Sequence, residues 1–408
     1  MHRRQFIAAV GAVGTFSAVV PVDSPLAAAS NAAAVAAGAS LIKGTPVVFA
    51  PVADGFTVTV ALNAPALVRV EYGETAALGA VARSDSCGFV PHDDVAVKIR
   101  LRGLRPGERY HWRVVAGPLS AGARKGAVER TATYVTRTLA PTAGETRFGV
   151  WNDTHDRAET IQRLHEGRGE GDDFLLWNGD VSNDVNRREI LPGLYVCPKG
   201  VDLAEGAPVF FVRGNHDVRG IWANKMTDFV DFPEGRPFYA FRSGPLGVVV
   251  LDTGEDKPDA HPSFKGVAAF EDLIREQAVW LGRAIASPEL RDAPCRVVFC
   301  HIPLRWHKEA RPDYARGGYD WVSLRGREAW GGVLRQWGAQ VVVSGHTHRA
   351  AWLPPSGEWP FGQLVGGGPR LDVATRIRGH ATGRELRLVM ERVVDGTVLH
   401  ALSFPSVC

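Results

Sequence analysis

Five short polar motifs carry the side chains of this sequence that could perform chemistry, and each motif follows an apolar run. The motifs are Asp153-Thr154-His155, Gly179-Asp180, Gly214-Asn215-His216-Asp217, His301 and Gly345-His346-Thr347-His348. Carboxylate, imidazole and amide groups are hard or borderline ligands, which suit manganese, iron, zinc and similar cations. The motifs contain no cysteine, and the five cysteines of the chain form no CxxC pair, so a thiolate zinc site is not expected. The sequence therefore predicts a metal site built from Asp, His and Asn side chains.

Apolar runs must position these motifs. Five runs precede the motifs, and a sixth, Val248–Leu251, is not followed by a motif of this kind. The five are Phe148–Trp151, Phe174–Trp177, Val209–Val212, Val297–Cys300 and Val341–Val343. Near-continuous apolar runs are typical of strands covered on both faces, and open α/β sheets bind ligands beyond the carboxyl ends of their strands. Helical patterns lie at about 157–168, 268–286 and 323–337. We therefore predict a layered α/β domain over 145–408 whose motifs meet at one rim.

Residues 45–138 follow a different pattern. Short alternating runs at 56–60, 67–72 and 95–101 are separated by Gly, Pro and Asp turns, which is typical of β-strands. Tyr110 follows a Pro-Gly turn, where a tyrosine hydroxyl can lock the corner of a β-sandwich. These features predict an all-β sandwich ahead of the α/β domain, joined to it by a linker around 138–145.

The first 29 residues are typical of a twin-arginine export signal. Arg3 and Arg4 precede an apolar stretch, and the small residues Ala27, Ala28 and Ala29 suit a signal peptidase. We expect a periplasmic or secreted protein with no stable membrane insertion after segment 1–29 is removed; the alternative is a membrane anchor, for which the apolar stretch is short. The formal net charge of +3 gives no support to a nucleic-acid partner.

The five motifs, in this order, resemble those of the calcineurin-like metallophosphoesterase superfamily over roughly residues 146–350. The resemblance implies a layered α/β/β/α catalytic domain and two divalent or mixed-valence metal ions (Mn, Fe or Zn). One ion would be held by Asp153, His155, Asp180 and His348. The other would be held by Asp180, Asn215, His301 and His346, so that Asp180 bridges the two.

The same resemblance implies a mechanism in which His216 stays unligated and faces the substrate. Two cations would clamp the phosphoryl oxygens and acidify a shared water, and the resulting hydroxide would attack phosphorus in line with the leaving oxygen. His216 would then act as the acid that protonates the leaving group. The residue that orients His216 is left open among Asn183, Asp184 and Asp217.

The N-terminal segment resembles the fibronectin type III-like domain that precedes the catalytic domain of purple acid phosphatases. The stretches Val70-Glu71-Tyr72-Gly73 and Leu104–Tyr110 carry this resemblance. The metal site departs from those enzymes, because Asn183 stands where their iron-binding tyrosine would fall and their first motif lacks the histidine seen here as His155. We therefore expect no tyrosinate–iron colour.

These observations predict an exported binuclear enzyme that hydrolyses small phosphate esters. A phosphodiesterase or nucleotidase would share the same motifs and is the first alternative. The second is a cell-surface binding protein in which the β-sandwich is the working module and the metal site is structural. A nuclease is disfavoured by the small net charge and the export signal.

Overall fold

The computed structural model describes residues 40–83, 90, 92–93, 95–119, 127–306 and 320–407. The predicted export signal, residues 1–29, lies outside the described residues. Within the described part of the chain, no helix combines the length and the apolar character needed to cross a membrane.

The N-terminal residues form strands in two sheets. Strands β1–β9 are Ile42–Val52, Gly55–Leu62, Ala66–Gly73, Ala80–Ala82, His92–Asp93, Ala96–Arg102, Arg109–Pro118, Glu129–Arg130 and Tyr134–Arg137. β1, β2 and β6 lie in one sheet, and the other six strands form the second. Val58, Ile99 and Trp112 belong to the core that the two sheets share. The Tyr110 hydroxyl accepts a hydrogen bond from Arg105 N at 2.9 Å, which confirms the predicted corner.

The remaining chain alternates strands with helices. Strands β10–β21 are Glu145–Trp151, Phe174–Asn178, Val209–Val212, Tyr239–Ser243, Leu246–Val250, Cys295–Phe299, Val341–Ser344, Ala351–Leu353, Gly362–Val365, Thr375–Thr382, Glu385–Arg392 and Val398–Pro405. Helices α1–α4 are Ala158–Glu166, Phe270–Ala284, Pro288–Arg291 and Trp321–Trp337. A π-helix covers Leu191–Val196, and 3₁₀ helices cover Leu203–Glu205, Ala223–Asp228, Pro233–Gly235 and Pro262–Phe264. All six apolar runs overlap strands, and the three predicted helices are confirmed as α1, α2 and α4.

Two sheets packed face to face form the middle layers of the α/β domain. The first sheet has the order β21-β20-β19-β10-β11-β12-β1-β2-β6, and the second has the order β13-β14-β15-β16-β18-β17. The rings of Phe148 and Phe299 meet in the core between them, 6.0 Å apart and edge to face. Trp280 of α2 shares a second core with Val298 of β15, and Ile161 of α1 is buried in the first core. The predicted α/β/β/α layering is confirmed.

The first sheet continues from the α/β domain into the N-terminal strands. β1 pairs in parallel with β12, with Phe49 opposite Val209, and in antiparallel with β2. Lys98 of β6 lies 3.3 Å from Asp231, in the segment that follows β12. The N-terminal strands are therefore attached through a shared sheet as well as through the linker at 138–145.

Parallel strands bring the motifs to one rim. β10, β11 and β12 run parallel to one another in the first sheet, and β14, β15 and β16 do so in the second. Each polar motif follows the carboxyl end of β10, β11, β12, β15 or β16. The strands β13, β17, β19, β20 and β21 were not identified from the sequence. All five pair with their neighbours in antiparallel fashion.

Candidate metal centre

The backbone of the motifs is bent sharply at the rim. Asp153, His155, Asp180, His346 and His348 all have positive φ, between 41° and 70°. Residues with side chains adopt this region at a cost of roughly 1–3 kcal/mol each, and such residues cluster at functional sites. The surrounding fold therefore holds five candidate ligands in strained turns that aim them at one place.

The first group of converging atoms comes from β10, β11 and β16. Asp153, His155, Asp180 and His348 each offer one ligand atom, and these atoms lie within 4.8 Å of one another. His155 Nε2 is 3.3 Å from Asp180 Oδ2 and 3.0 Å from His348 Nε2. His348 Nε2 is 3.6 Å from Asp153 Oδ1. Two facing imidazole nitrogens can share only one proton, whereas a cation beside both can accept a lone pair from each.

The second group shares Asp180 with the first. The ligand atoms of Asp180, His301 and His346 also lie within 4.8 Å of one another. Asn215 Oδ1 is 2.9 Å from His346 Nδ1, which adds an amide oxygen to the group. His301 Nδ1 is 2.9 Å from the carbonyl oxygen of Asn178, so its Nε2 turns toward the cluster. The structure therefore brings all seven predicted ligands together around Asp180.

His301 provides a test of whether these side chains fit a cation. Its Nε2 is buried and lies 3.1 Å from Asp180 Oδ2, with which it can form an ion pair only when the ring is protonated. Among the described residues this nitrogen has no hydrogen-bond partner. A buried polar atom without a partner is costly, and a metal-binding histidine usually donates its other ring N–H to a carbonyl or carboxylate, as Nδ1 can do here. The donor set and this unpartnered nitrogen both fit metal ions.

Burial and charge set the protonation of the cluster. Burial alone would lower the pKa of His301, but the charges of Asp180 and Asp153 raise it to about 10. Burial lowers the pKa of His346 to about 3 and that of His348 to about 4. Metal ions bind the neutral imidazole. At neutral pH, His346 and His348 are therefore already in their metal-binding form, whereas His301 must release a proton.

Asp217 ties two motif loops together. Its fully buried carboxylate accepts hydrogen bonds from the backbone N of Asp180 and Gly214, both at 2.8 Å, through Oδ2. Through Oδ1 it accepts hydrogen bonds from Val181 N at 3.0 Å and from the Tyr195 hydroxyl at 2.5 Å. This role of Asp217 could not be predicted from the sequence, because the donors Asp180 N and Val181 N come from a different strand end.

His216 lies at the edge of the cluster, with 29% of its side chain exposed. Its Nδ1 contacts the carbonyl oxygen of Asn183 and lies 3.5 Å from Asp184 Oδ1. Its ring packs against that of His155, with centroids 4.9 Å apart. The main chain of Asn183 and the carboxylate of Asp184 therefore contact His216, while Asp217 points to the buried loops.

Comparisons with known proteins identify the family of this chain. Residues 146–350 match the model of the calcineurin-like phosphoesterase family. The chain belongs to the calcineurin-like phosphoesterase family. Together with the Asp and His cluster, membership identifies a metal-dependent hydrolase of phosphate esters. No curated protein matches the chain in sequence.

Two solved structures share the fold. Purple acid phosphatase PPD1 from yellow lupin (Lupinus luteus) seeds is 14% identical with a TM-score of 0.65, covering 88% of this chain and 74% of that one. PhoD is 13% identical with a TM-score of 0.58, covering 90% of each chain. Both similarities extend over more of the chain than the family-matched residues, so the shared fold includes N-terminal strands.

Proposed function

We propose that this member of the family is an exported binuclear phosphoesterase that hydrolyses small phosphate esters. The observation that carries the proposal is the position of Asp180, which belongs to both groups of ligand atoms. One ion would be held by Asp153, His155, Asp180 and His348. The other would be held by Asp180, Asn215, His301 and His346. Bound manganese, iron or zinc ions would supply positive charge for the phosphoryl oxygens and would acidify a water.

His216 is the proposed acid for the leaving group. Its ring is exposed at the edge of the cluster, where the leaving group of an ester can approach it. Asn183 and Asp184 lie at Nδ1, which leaves Nε2 to give its proton to the leaving oxygen. The negative charge of the Asp184 carboxylate, 3.5 Å from Nδ1, would stabilise the protonated imidazole before this transfer.

The proposal includes the organisation predicted from the sequence. Segment 1–29 would direct twin-arginine export and then be removed, which leaves a periplasmic or secreted protein. Residues 45–138 would form a fibronectin type III-like unit and residues 145–408 the catalytic unit. The Arg3-Arg4 pair supports export, and the two N-terminal sheets with the Tyr110 corner support the first unit.

The test compares a phosphate monoester with a diester. Phenyl phosphate and methyl phenyl phosphate are incubated with the protein lacking residues 1–29, in manganese, and bound metal is counted by plasma mass spectrometry. We expect two ions per chain and cleavage of at least one ester, and the ratio of the two rates identifies the subclass. His216→Ala should slow cleavage by roughly 10²–10⁴-fold, the usual contribution of a general acid.

His380→Ala is the matched control. His380 is partly exposed and pairs with Glu145 at 2.9 Å at the opposite end of β10, so its loss should leave the rate unchanged. Two bound ions without hydrolysis of either ester would contradict the proposal and favour a binding protein with a structural metal site. A single bound ion would contradict the binuclear assignment.

A further inference from the structure

The sixth apolar run ends in a buried acidic segment that holds the loop after β12. Asp252 and Glu255 follow β14 and are buried. Arg213, ahead of the Asn215-His216 pair, donates from Nε to Asp252 Oδ2 at 2.6 Å. Arg219, beyond the pair, donates from Nε and Nη2 to the two carboxylate oxygens of Glu255, at 2.9 and 2.7 Å. Two ion pairs with carboxylates after β14 therefore hold the chain before and after His216, the proposed acid.

The remaining nitrogen of Arg219 contacts His216. Nη1 lies 3.4 Å from both Nδ1 and Nε2 of the His216 ring. Within the described residues, Nη1 has no other hydrogen-bond contact, and because it can only donate, its contact with the protonated His216 ring is one of packing. The guanidinium is rigid and planar, so the fork to Glu255 also fixes the direction of Nη1.

Arg219 has little freedom to move away from this contact. Glu255 is 2% exposed, and departure of the guanidinium would leave a buried carboxylate without its counter-charge. The main chain of Arg219 is also fixed, since its N donates to His216 O at 3.3 Å and its O accepts from Val185 N at 2.7 Å. The second of these bonds ties Arg219 to the segment that carries Asp184.

We propose that Arg219 is a positioning residue that holds the His216 ring in the orientation from which it can protonate a leaving group. Glu255 keeps Arg219 in place, and the His155 ring, 4.9 Å from that of His216, is a further contact of the imidazole. The inference rests on the proposed role of His216 as the acid. A side chain held in its productive orientation before substrate binds lowers the barrier, and a misplacement of about 1 Å can cost roughly 10²-fold.

The test uses leaving groups that differ in their need for an acid. Arg219→Lys keeps the positive charge near Glu255 but removes the planar fork and Nη1. We expect a loss of roughly 10–10²-fold in kcat on phenyl phosphate with a smaller change in KM. On 4-nitrophenyl phosphate, whose leaving group departs without protonation, the change should be within about 2-fold. In the His216→Ala background, Arg219→Lys should cause no further loss, because residues that act through one another are not additive.

Arg113→Lys is the matched control. Arg113 also donates from Nε and Nη2 to a glutamate, at 2.9 and 2.7 Å, but to one oxygen of Glu71 and in the N-terminal sheet. The Arg113→Lys variant should hydrolyse both esters at the wild-type rate. Glu255→Gln provides a second variant, because it weakens the fork while Arg219 keeps its contact with Asp256, and it should reproduce the same leaving-group pattern.

A readout without substrate separates this inference from the proposed function. In protein with isotope-labelled histidine rings, the nuclear Overhauser contact between His216 and His155 should be present in the wild type and Arg113→Lys and weakened in Arg219→Lys. If the wild type hydrolyses no ester, the proposed function fails, and this contact still tests the positioning. Equal slowing of both esters, additive loss in the His216→Ala background, or an unchanged ring contact would overturn the inference.

Discussion

Asp217→Asn is the substitution that most directly tests how the rim is held together. Asparagine keeps the shape of the side chain but replaces one carboxylate oxygen with an NH₂ donor. Oδ2 accepts hydrogen bonds from Asp180 N and Gly214 N, and Oδ1 accepts them from Val181 N, Ser182 N and the Tyr195 hydroxyl. In either orientation of the amide, its NH₂ group takes the place of one of the two oxygens. The donors that this oxygen accepted then face another donor and lose their partner.

The expected cost follows from this count of donors. A buried donor left without a partner costs roughly 1–3 kcal/mol, so two such donors predict a loss of about 2–6 kcal/mol in the free energy of unfolding. That is a large share of the roughly 5–15 kcal/mol by which proteins are stable. Tyr195→Phe removes one donor to a charged acceptor and should cost less, about 1.5–3 kcal/mol.

The assay is urea unfolding in the presence of a chelator, with stability taken from the midpoint at constant slope. Asp228→Asn, at an exposed position, is the control and should leave the midpoint unchanged. If Asp217→Asn shifts stability by less than about 1 kcal/mol, or by less than Tyr195→Phe does, the assignment of Asp217 as the link between the two loops is refuted.

Three further predictions follow from the site and the N-terminal sheet. Gly345→Ala should abolish tight manganese binding in calorimetry, because a Cβ there would lie 2.2 Å from Asp153 Oδ2, whereas Gly357→Ala, in open space, should bind as the wild type does. Iron-loaded protein should lack the strong visible charge-transfer band of a tyrosinate, because the candidate ligands include no tyrosine; such a band in the absorption spectrum would contradict the ligand set. The hydrogen bond from Arg113 lowers the pKa of Glu71. That pair therefore stabilises the fold above the ordinary carboxyl pKa and loses its effect as the pH falls through the lowered pKa. Glu71→Gln should cost roughly 0.2–1 kcal/mol at neutral pH, and in urea unfolding this cost should vanish in acid; a cost that persists there would contradict the ion pair.

The sequence was sufficient to locate the rim because its local patterns are strong. Apolar runs such as Phe148–Trp151 and Val341–Val343 indicate strands covered on both faces, and the structure buries both of them. Metal-ligand residue types directly after such runs predict one site at the carboxyl ends of the strands. The corner formed by Tyr110 was predictable for a similar reason, since a single turn brings the hydroxyl back to Arg105.

The parts that the sequence did not predict depend on partners far away in the chain. β19 to β21 extend the first sheet in antiparallel fashion, and polar residues such as Arg378 of β19 and Arg387 of β20 stand at exposed positions, where they interrupt an apolar run. The sheet passes from β12 to β1 through the pairing of Val209 with Phe49. Local periodicity contains no information on which strand lies beside which, so such pairings come only from tertiary packing.

The loops at the rim are supported by residues other than the candidate metal ligands. The acidic segment after β14 is one of these supports. Candidate ligands such as Asp180 and His346 occupy strained turns, and His301 Nε2 is buried without a hydrogen-bond partner in the described part of the chain. On its own, the local chain would relieve the backbone strain and give the His301 nitrogen a partner, so contacts from other parts of the fold must hold both in place. Asp217 does so through the backbone of the loops, and the carboxylates after β14 do so through arginines. A strand end without a metal motif therefore contributes to the site by fixing the loop of a strand that has one.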